Sequence, residues 1–258
     1  MPVQDALPDT LLAFDTSTEQ LALGVLAGGQ RWVDNRPGGS AASAALLPAL
    51  QALLRLADRR MADVQAIAFG RGPGAFTGLR TSCAVAQGLA FGLGRPVLPI
   101  DSLMLVAEQA RQRAGADGDV EIGVVMDARM GEAYAARYHW QDGAWRVLQA
   151  PGLWAPDALA AAWAAQPPAA SVGTGLAAFD RVLHGACPAA GRIDAGDDRA
   201  SALLNLAVQA RAAGRGLDAA DALPLYLRDK VAQTTEERAA AVLARNTATA
   251  AAAAAASR

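Results

Sequence analysis

Short apolar runs separated by polar turns predict that the first half of the chain is rich in strands and then alternates helices with strands. Gly28-Gly29 between two of these runs favours a tight hairpin. Leucines at helical spacing predict the first helix, and Ser102 is predicted to cap the last one. The predicted strands lie at 11–15, 21–26, 30–35, 64–69 and 97–100, and the helices at 41–57, 79–93 and 102–113.

The second half repeats the opening of the first. Asp15 and Asp127 each end an apolar strand, and each precedes the next strand by the same offset. Ser171 to Gly175 reads as a shorter version of the strand and glycine turn at 69–74. Predicted strands lie at 121–127, 133–140 and 145–148. The pattern predicts a duplication of a mixed sheet with helices packed on it, the alternative being a chance match of short segments.

The predicted domain organisation follows from this repeat. An N-terminal half is expected at 1–114, a C-terminal half at 115–238, and an alanine-rich tail at 239–258 that is frayed or disordered.

Composition narrows the class of protein. The chain has 258 residues, of which 53% are hydrophobic and 19% charged, which is enough to bury a sizeable core. A formal net charge of -2 argues against gripping nucleic acid through its own basic surface, because phosphate neutralisation supplies most of that affinity. The start of the chain has no leader-like pattern and no apolar run is long enough for a membrane span, so a cytoplasmic protein is expected.

Metal and thiol chemistry have few candidates. The two cysteines, Cys83 and Cys187, and the two histidines, His139 and His184, are too scattered for a zinc or haem site. Cys83 falls in an apolar helix and reads as a core residue.

The most unusual segment is the glycine-rich stretch from Gly70 to Gly78. Gly72-Pro73-Gly74 predicts a preset loop between a strand and a helix, and such a loop can bind phosphate through its backbone N–H groups. A purely structural turn is the alternative. Lys230 is the only lysine and no Gly-Lys-Ser/Thr occurs, which excludes a P-loop nucleoside triphosphatase. The glycine spacing does not fit the dinucleotide fingerprint.

A second polar turn lies at the end of the first strand. Asp15-Thr16-Ser17-Thr18 is suited to holding magnesium and phosphate, and a simple hydrogen-bonded turn is the alternative. Asp15 and Asp127, in repeated halves, would face each other across a cleft. This is the layout of the acetate kinase, sugar kinase, Hsp70 and actin superfamily.

Four motifs make the resemblance more specific, and together they extend from Leu11 to Arg228. They are Leu12-Ala13-Phe14-Asp15-Thr16-Ser17-Thr18, Gly72-Pro73-Gly74-Ala75-Phe76-Thr77-Gly78-Leu79-Arg80, Val125-Met126-Asp127-Ala128-Arg129-Met130-Gly131-Glu132-Ala133-Tyr134 and Pro224-Leu225-Tyr226-Leu227-Arg228. In this order they resemble the bacterial TsaB (YeaZ) family. The resemblance implies an α/β, actin-like ATPase (ASKHA) fold with two duplicated RNase H-like subdomains, whose mixed sheets are flanked by helices.

The resemblance also implies a role in making threonylcarbamoyladenosine next to the anticodon of tRNA. In that system TsaB binds and activates the catalytic paralogue TsaD, together with the ATPase TsaE, and tRNA is contacted only through the complex. TsaD carries a metal-binding His-x-x-x-His, and His139 and His184 have no partner at that spacing. We therefore expect a non-catalytic subunit with no catalytic residue and no metal site. The family's histidine before the Leu-Pro of the first helix is also replaced here by alanine or serine.

Two sets of residues are expected to carry this function. The first is a weak site for ATP or ADP with magnesium, formed by Asp15, Thr16, Ser17, Gly72, Gly74, Thr77 and Gly78. The second is an interface with TsaD or with a second copy of the chain, formed by Ala84, Gly88 and Gly92 of a smooth helix face beside Leu46 and Leu50. Close packing of that helix on the chain's own sheet is the alternative.

The alternative hypothesis is that the chain is an independent ATP-dependent small-molecule kinase of the same superfamily. Its base and adenosine-binding residues would be Asp127 and Gly173-Thr174-Gly175. A protease is a third possibility, although no nucleophile with a base partner can be named.

Overall fold

The first sheet has five strands, and its central strand β1 is buried along its whole length because helices cover both faces. The computed structural model describes residues 10–116 and 118–228, without the side chain of Ser40. The strands are β1 (Thr10–Asp15), β2 (Gln20–Ala27), β3 (Gln30–Pro37), β4 (Ala66–Gly72) and β5 (Val97–Asp101). Their order is β3-β2-β1-β4-β5. The pairs of β1 with β2 and of β2 with β3 are antiparallel, whereas β1 pairs with β4 and β4 with β5 in parallel.

The second sheet repeats this order with one strand fewer. Its strands are β6 (Val120–Asp127), β7 (Ala133–Gln141), β8 (Ala144–Trp154) and β9 (Ala170–Val172). They follow the order β8-β7-β6-β9, in which β6 is antiparallel to β7 and parallel to β9. The predicted duplication of an RNase H-like sheet is therefore confirmed, and with it the actin-like fold class.

Seven α-helices within the described residues cover these sheets. They are α1 (Ala42–Leu56), α2 (Phe76–Leu93), α3 (Ser102–Arg113), α4 (Pro156–Ala164), α5 (Gly175–Ala178), α6 (Asp180–Leu183) and α7 (Arg199–Ala212). None of the described helices is long and apolar enough to cross a membrane.

The elements stack in five layers. Helices α1 and α2 pack on one face of the first sheet, where Leu12 and Phe14 of β1 point. The opposite face, with Leu11 and Ala13, packs on α3 and α7. Helix α3 also packs on the second sheet, whose other face carries α4, α5 and α6. Helix α7 thus belongs to the second half by sequence and to the first sheet by packing.

The middle layer is fastened by a buried carboxylate, Glu108 of α3. It accepts hydrogen bonds from Arg111 and Gln112 on its own helix, from Trp145 Nε1 of β8 at 2.9 Å and from Asn205 Nδ2 of α7 at 3.0 Å. Burial alone would raise the pKa of this carboxyl group, but the donors outweigh it and hold the pKa below its ordinary value. The Glu108 carboxylate therefore links α3 of the first half to β8 and α7 of the second half.

Most of the predicted elements are present, with three differences. Asp101, not Ser102, caps α3, because its carboxylate accepts from the N–H groups of Leu103 and Met104. Helix α2 starts at Phe76 instead of residue 79, so Gly78 is inside the helix. Helices α4, α6 and α7 were not predicted. The predicted boundary at 114/115 falls between α3 and β6 and stays a prediction, and the tail at 239–258 lies outside the described residues.

Candidate functional site

The glycine-rich stretch and the Asp15 turn meet at the carboxyl ends of β1 and β4. Three glycines face the turn: a Cβ on Gly70 would overlap the Asp15 carboxylate, one on Gly74 the Ser17 carbonyl oxygen, and one on Gly78 the Thr16 carbonyl oxygen. The glycines therefore allow the start of α2 to lie directly against residues 15–17. This close approach explains why a helix tolerates glycine at its third position.

Hydrogen bonds tie the turn to α2. The Thr16 hydroxyl donates to the Gly78 carbonyl at 2.7 Å and lies 2.8 Å from Ser82 Oγ, which also accepts from the Thr16 backbone N–H. The Ala75 N–H donates to the Ser17 carbonyl at 2.8 Å. Ser82 lies two turns into α2, and its role was not predicted from the sequence.

Asp15 is fully buried and forms an ion pair with Arg199 of α7. Arg199 Nε and Nη2 both donate to Asp15 Oδ2, at 2.9 and 2.6 Å, and Nη2 also reaches Ser17 Oγ at 3.2 Å. The remaining Asp15 oxygen accepts from the Ser17 N–H at 2.7 Å. Arg199 Nη1 donates to Gln109 of α3 at 3.0 Å, and only 3% of Arg199 is exposed. The Asp15 carboxylate is thus neutralised by a cation of the chain itself.

This arrangement bears on the predicted nucleotide site. Asp15, Thr16 and Ser17 are all buried, the Gly72 N–H is bonded to Ser102 Oγ, and Gly74 packs on Ser17. Thr77 is exposed at the start of α2. Asp15 therefore faces a guanidinium instead of solvent, and nucleotide binding here stays a prediction.

The C-terminal motif lies over the same loop. The Leu225 N–H donates to the Arg71 carbonyl at 2.7 Å, and the Leu225 carbonyl oxygen would lie 3.2 Å from a Cβ on Gly72. Tyr226 stacks on Phe76 with ring centroids 5.4 Å apart and accepts a hydrogen bond from Arg80 Nε at 3.0 Å. Arg80 also lies over the Phe76 ring. Two motifs far apart in sequence are therefore in contact. The Arg80 guanidinium interacts with the Phe76 ring and the Tyr226 hydroxyl.

The second half has a smaller version of this site. The Asp127 N–H donates to Thr174 Oγ1 at 3.1 Å, and Asp127 Oδ1 accepts from the Arg129 N–H at 2.8 Å. A Cβ on Gly173 would overlap the Val125 carbonyl oxygen, and one on Gly175 would lie 2.7 Å from the Val125 side chain. As in the first half, the glycines fit the chain against its own strand end. This packing gives no specific support to the kinase alternative.

Three of the predicted interface residues are exposed, and the other two are buried. Ala84, Gly88 and Gly92 are exposed on one face of α2, and a Cβ on Gly88 or Gly92 would meet nothing within 4 Å. Leu46 and Leu50 are instead fully buried in the core beneath α1, so they cannot contact a partner. The helical spacing of these leucines indicates the face of an amphipathic helix that packs on the core, and not a face available to a partner. The sequence reading missed Phe91, which is 85% exposed on the same face of α2, and Leu47, which is 41% exposed on α1.

The remaining candidates for chemistry are metal-binding side chains, a cysteine thiol and a buried carboxyl group. The described residues hold no cluster of three metal-binding side chains. Burial raises the pKa of the Cys83 thiol to about 11, so it is protonated at neutral pH. Burial also raises the pKa of the Asp101 carboxyl, although the Tyr138 hydroxyl donates to it at 2.6 Å.

Comparisons with known proteins agree on one family. A family model described as TsaD, tRNA N6-adenosine threonylcarbamoyltransferase, matches residues 39–257. The tRNA threonylcarbamoyladenosine biosynthesis protein TsaB of Escherichia coli is 30% identical over 234 residues, which cover 86% of this chain and 96% of that protein. The TsaB of Haemophilus influenzae is 40% identical over 125 residues, which span about half of each protein, 48% of this chain and 52% of the relative.

A solved structure extends the similarity to three dimensions. YeaZ from Pseudomonas aeruginosa has a TM-score of 0.74 and 37% sequence identity, and the match covers 85% of this chain and 100% of that one. The resemblance drawn from four sequence motifs is confirmed. The chain belongs to the TsaB (YeaZ) family, and it also falls within the wider family that the TsaD model describes.

Proposed function

We propose that this chain is a non-catalytic subunit in the synthesis of threonylcarbamoyladenosine on tRNA, where it binds and activates a TsaD paralogue. The E. coli and H. influenzae relatives are named for this biosynthesis, and the family model is named for the transferase. The ATPase TsaE is the proposed third component, and tRNA is bound through the complex in the cytoplasm. A homodimer through the same face is the form proposed in the absence of TsaD.

The observation that carries this proposal is the exposed face of α2. Ala84, Gly88, Phe91 and Gly92 recur at spacings of three and four residues, which places them on one side of the helix. Small residues allow a second helix to approach closely, and an exposed phenylalanine is a suitable central anchor for a protein interface. Glycine in a helix costs up to about 1 kcal/mol relative to alanine, so two exposed glycines argue for a role outside the folded chain.

The interior of the chain supports a non-catalytic role. Asp15, the acid at the first strand end, is buried against Arg199, and Asp127 is bonded to the Arg129 backbone. Both cysteines are buried. A weak site for ATP or ADP with magnesium at the glycine loop remains part of the proposal. Magnesium there would have to compete with Arg199 for the Asp15 carboxylate.

The experiment is size-exclusion chromatography with light scattering, on the chain alone and mixed with TsaD from the same organism. Ala84→Arg and Gly88→Arg place a long charged side chain in the middle of the face, and each should weaken the mixed complex at least tenfold. Ala161→Arg is the matched control, because it adds the same charge at an exposed position of α4 on the far layer.

The outcomes separate the parts of the proposal. If wild type forms no complex with TsaD, the proposed partner is wrong. If wild type binds and both α2 variants bind equally well, the partner is right and the face is wrong. Circular dichroism of each variant confirms that it remains folded.

A further inference from the structure

A small basic cavity lies where α1 ends, outside the loop site and outside the α2 face. It has a volume of about 220 Å³ and is lined by Gln51, Leu54, Arg55, Arg59, Arg60 and Met61. Three of the six lining residues are arginines and none is acidic. Leu54 is buried and Met61 partly buried, so the basic groups stand over an apolar floor.

The backbone that carries the arginines is held in place by a helix C-cap. Asp58 takes the left-handed conformation at φ 53°, the Arg59 N–H donates to the Leu54 carbonyl at 2.9 Å, and the Asp58 N–H donates to the Arg55 carbonyl at 3.1 Å. These two bonds are the Schellman pattern that ends a helix. The next turn is closed by Asp63, whose carboxylate accepts from the Arg60 N–H at 2.7 Å. The backbone that carries the arginines is therefore fixed by the chain's own hydrogen bonds.

The charge of the cavity is only partly balanced by the chain. Arg60 pairs with Asp63 at 3.2 Å on an exposed surface. Arg59 Nη1 donates to the Asp58 carbonyl at 2.9 Å, which supplies a hydrogen bond without a negative charge. Within residues 10–116 and 118–228, neither Arg55 nor Arg59 forms an ion pair with a carboxylate. Guanidinium groups stay charged at any physiological pH. Hydrogen bonds with Arg60 and, to a smaller extent, the charge of Arg59 lower the pKa of the Asp63 carboxyl, so one carboxylate partly balances two arginines and Arg55 has no ion pair among the described residues.

We propose that this cavity binds the phosphate group of a nucleotide or of an RNA backbone. A planar guanidinium donates two parallel N–H groups to phosphate oxygens, and several arginines around one concavity favour phosphate over a single carboxylate. The volume is below the 300–1,000 Å³ of ordinary small-molecule pockets, which suits one phosphate with part of its sugar better than a whole dinucleotide. The apolar floor would lie under the sugar or base.

This site shares no residue with the proposed TsaD interface on α2. The cavity is formed at the end of α1, whereas the interface proposal rests on α2. Failure of one proposal therefore leaves the other standing.

Isothermal titration calorimetry on the full chain tests the site with three probes: AMP, adenosine, and a ten-nucleotide RNA without a terminal phosphate. Wild type should bind AMP or the RNA, and adenosine at least tenfold more weakly than AMP. Affinity should fall as sodium chloride rises from 50 to 300 mM, because charge carries the contact. AMP binding alone identifies a nucleotide as the ligand, and RNA binding alone identifies the backbone phosphodiester.

The variant Arg55→Gln/Arg59→Gln should lose at least tenfold in affinity for whichever phosphate probe binds. Arg146→Gln/Arg215→Gln is the matched control, because it removes the same charge from exposed positions on β8 and after α7. Equal losses in both double variants would mean that only net charge matters and would overturn the proposal. So would the absence of binding by AMP and RNA, or equal binding of AMP and adenosine.

Discussion

At the scale of single residues, the glycines of α2 divide into two kinds that the sequence alone does not distinguish. Gly78 faces inward against the Thr16 carbonyl, whereas Gly88 faces open space. Both lie inside the same helix, so they have the same intrinsic cost. The atoms around each glycine therefore determine whether an added side chain raises or lowers the stability of the chain.

Gly78→Ala and Gly88→Ala should therefore change stability in opposite directions. Gly78→Ala forces a methyl group into backbone and should lower the free energy of unfolding by about 1–3 kcal/mol. Gly88→Ala should raise it by about 0.5–1 kcal/mol, because alanine is the better helix former. Urea unfolding of both variants measures this. Equal effects of the same sign would contradict the close approach of α2 to the Asp15 turn.

The Asp15–Arg199 pair belongs to the same scale. Arg199→Met would leave a buried carboxylate without its cation and should cost about 3–5 kcal/mol. Adding Asp15→Asn to that variant should restore part of the loss, since the uncompensated charge is then gone. A double-mutant cycle by urea unfolding measures the coupling, and additive losses would show that the two side chains do not interact.

At the scale of elements, Glu108 makes the middle layer sensitive to acid. Its pKa in the folded chain is lowered, so its contribution to stability is fully present above the unfolded value of about 4.3. That contribution is lost as pH falls through the lower, folded value. Comparing Glu108→Gln with wild type isolates it, because other titrating groups are common to both chains.

The expected result is a gap in unfolding free energy between wild type and Glu108→Gln that is widest near neutral pH. The gap should narrow below about pH 4.3, where the carboxyl group becomes protonated. Urea titrations at several pH values between 7 and 3 measure it. A gap that does not change with pH would show that the ionised form of Glu108 gains nothing from its donors.

Elements differ in how well the sequence predicted them. Strands β1 to β7 follow short apolar or alternating runs bounded by turns, and the pattern located them within a few residues. Helix α7 was not predicted from the sequence, because its buried residues are distributed around most of its surface. Its leucines and alanines therefore form no single apolar stripe. Asp15 was recognised from its place in a motif, but Arg199 is 184 residues away and no local pattern links them. The sequence thus predicted the duplicated sheets and the exposed α2 face. It did not predict that Arg199 pairs with Asp15 at the loop site, because that contact is made only in the folded chain.

At the scale of the whole molecule, the two halves predicted at 1–114 and 115–238 are joined by α7. A fragment of residues 1–114 keeps α3 but lacks α7, and would expose the part of the first sheet's apolar face that α7 covers, beside Leu11, Ala13 and Leu98. We expect it to aggregate or to bind a hydrophobic dye, whereas the full chain remains monodisperse. Light scattering and dye fluorescence of both proteins measure this. A monomeric fragment with a cooperative unfolding transition would instead support an independent first domain.

The position of α7 also sets an order of events during protein synthesis. The last strand of the first sheet ends at Asp101, but the helix that covers it ends at Ala212. At about 5–20 residues per second, the ribosome needs roughly 6–22 seconds to make the intervening chain. For that time only α3 covers the apolar sheet face of the nascent first half. The part left open makes the chain a natural client for chaperones that bind chains as they emerge.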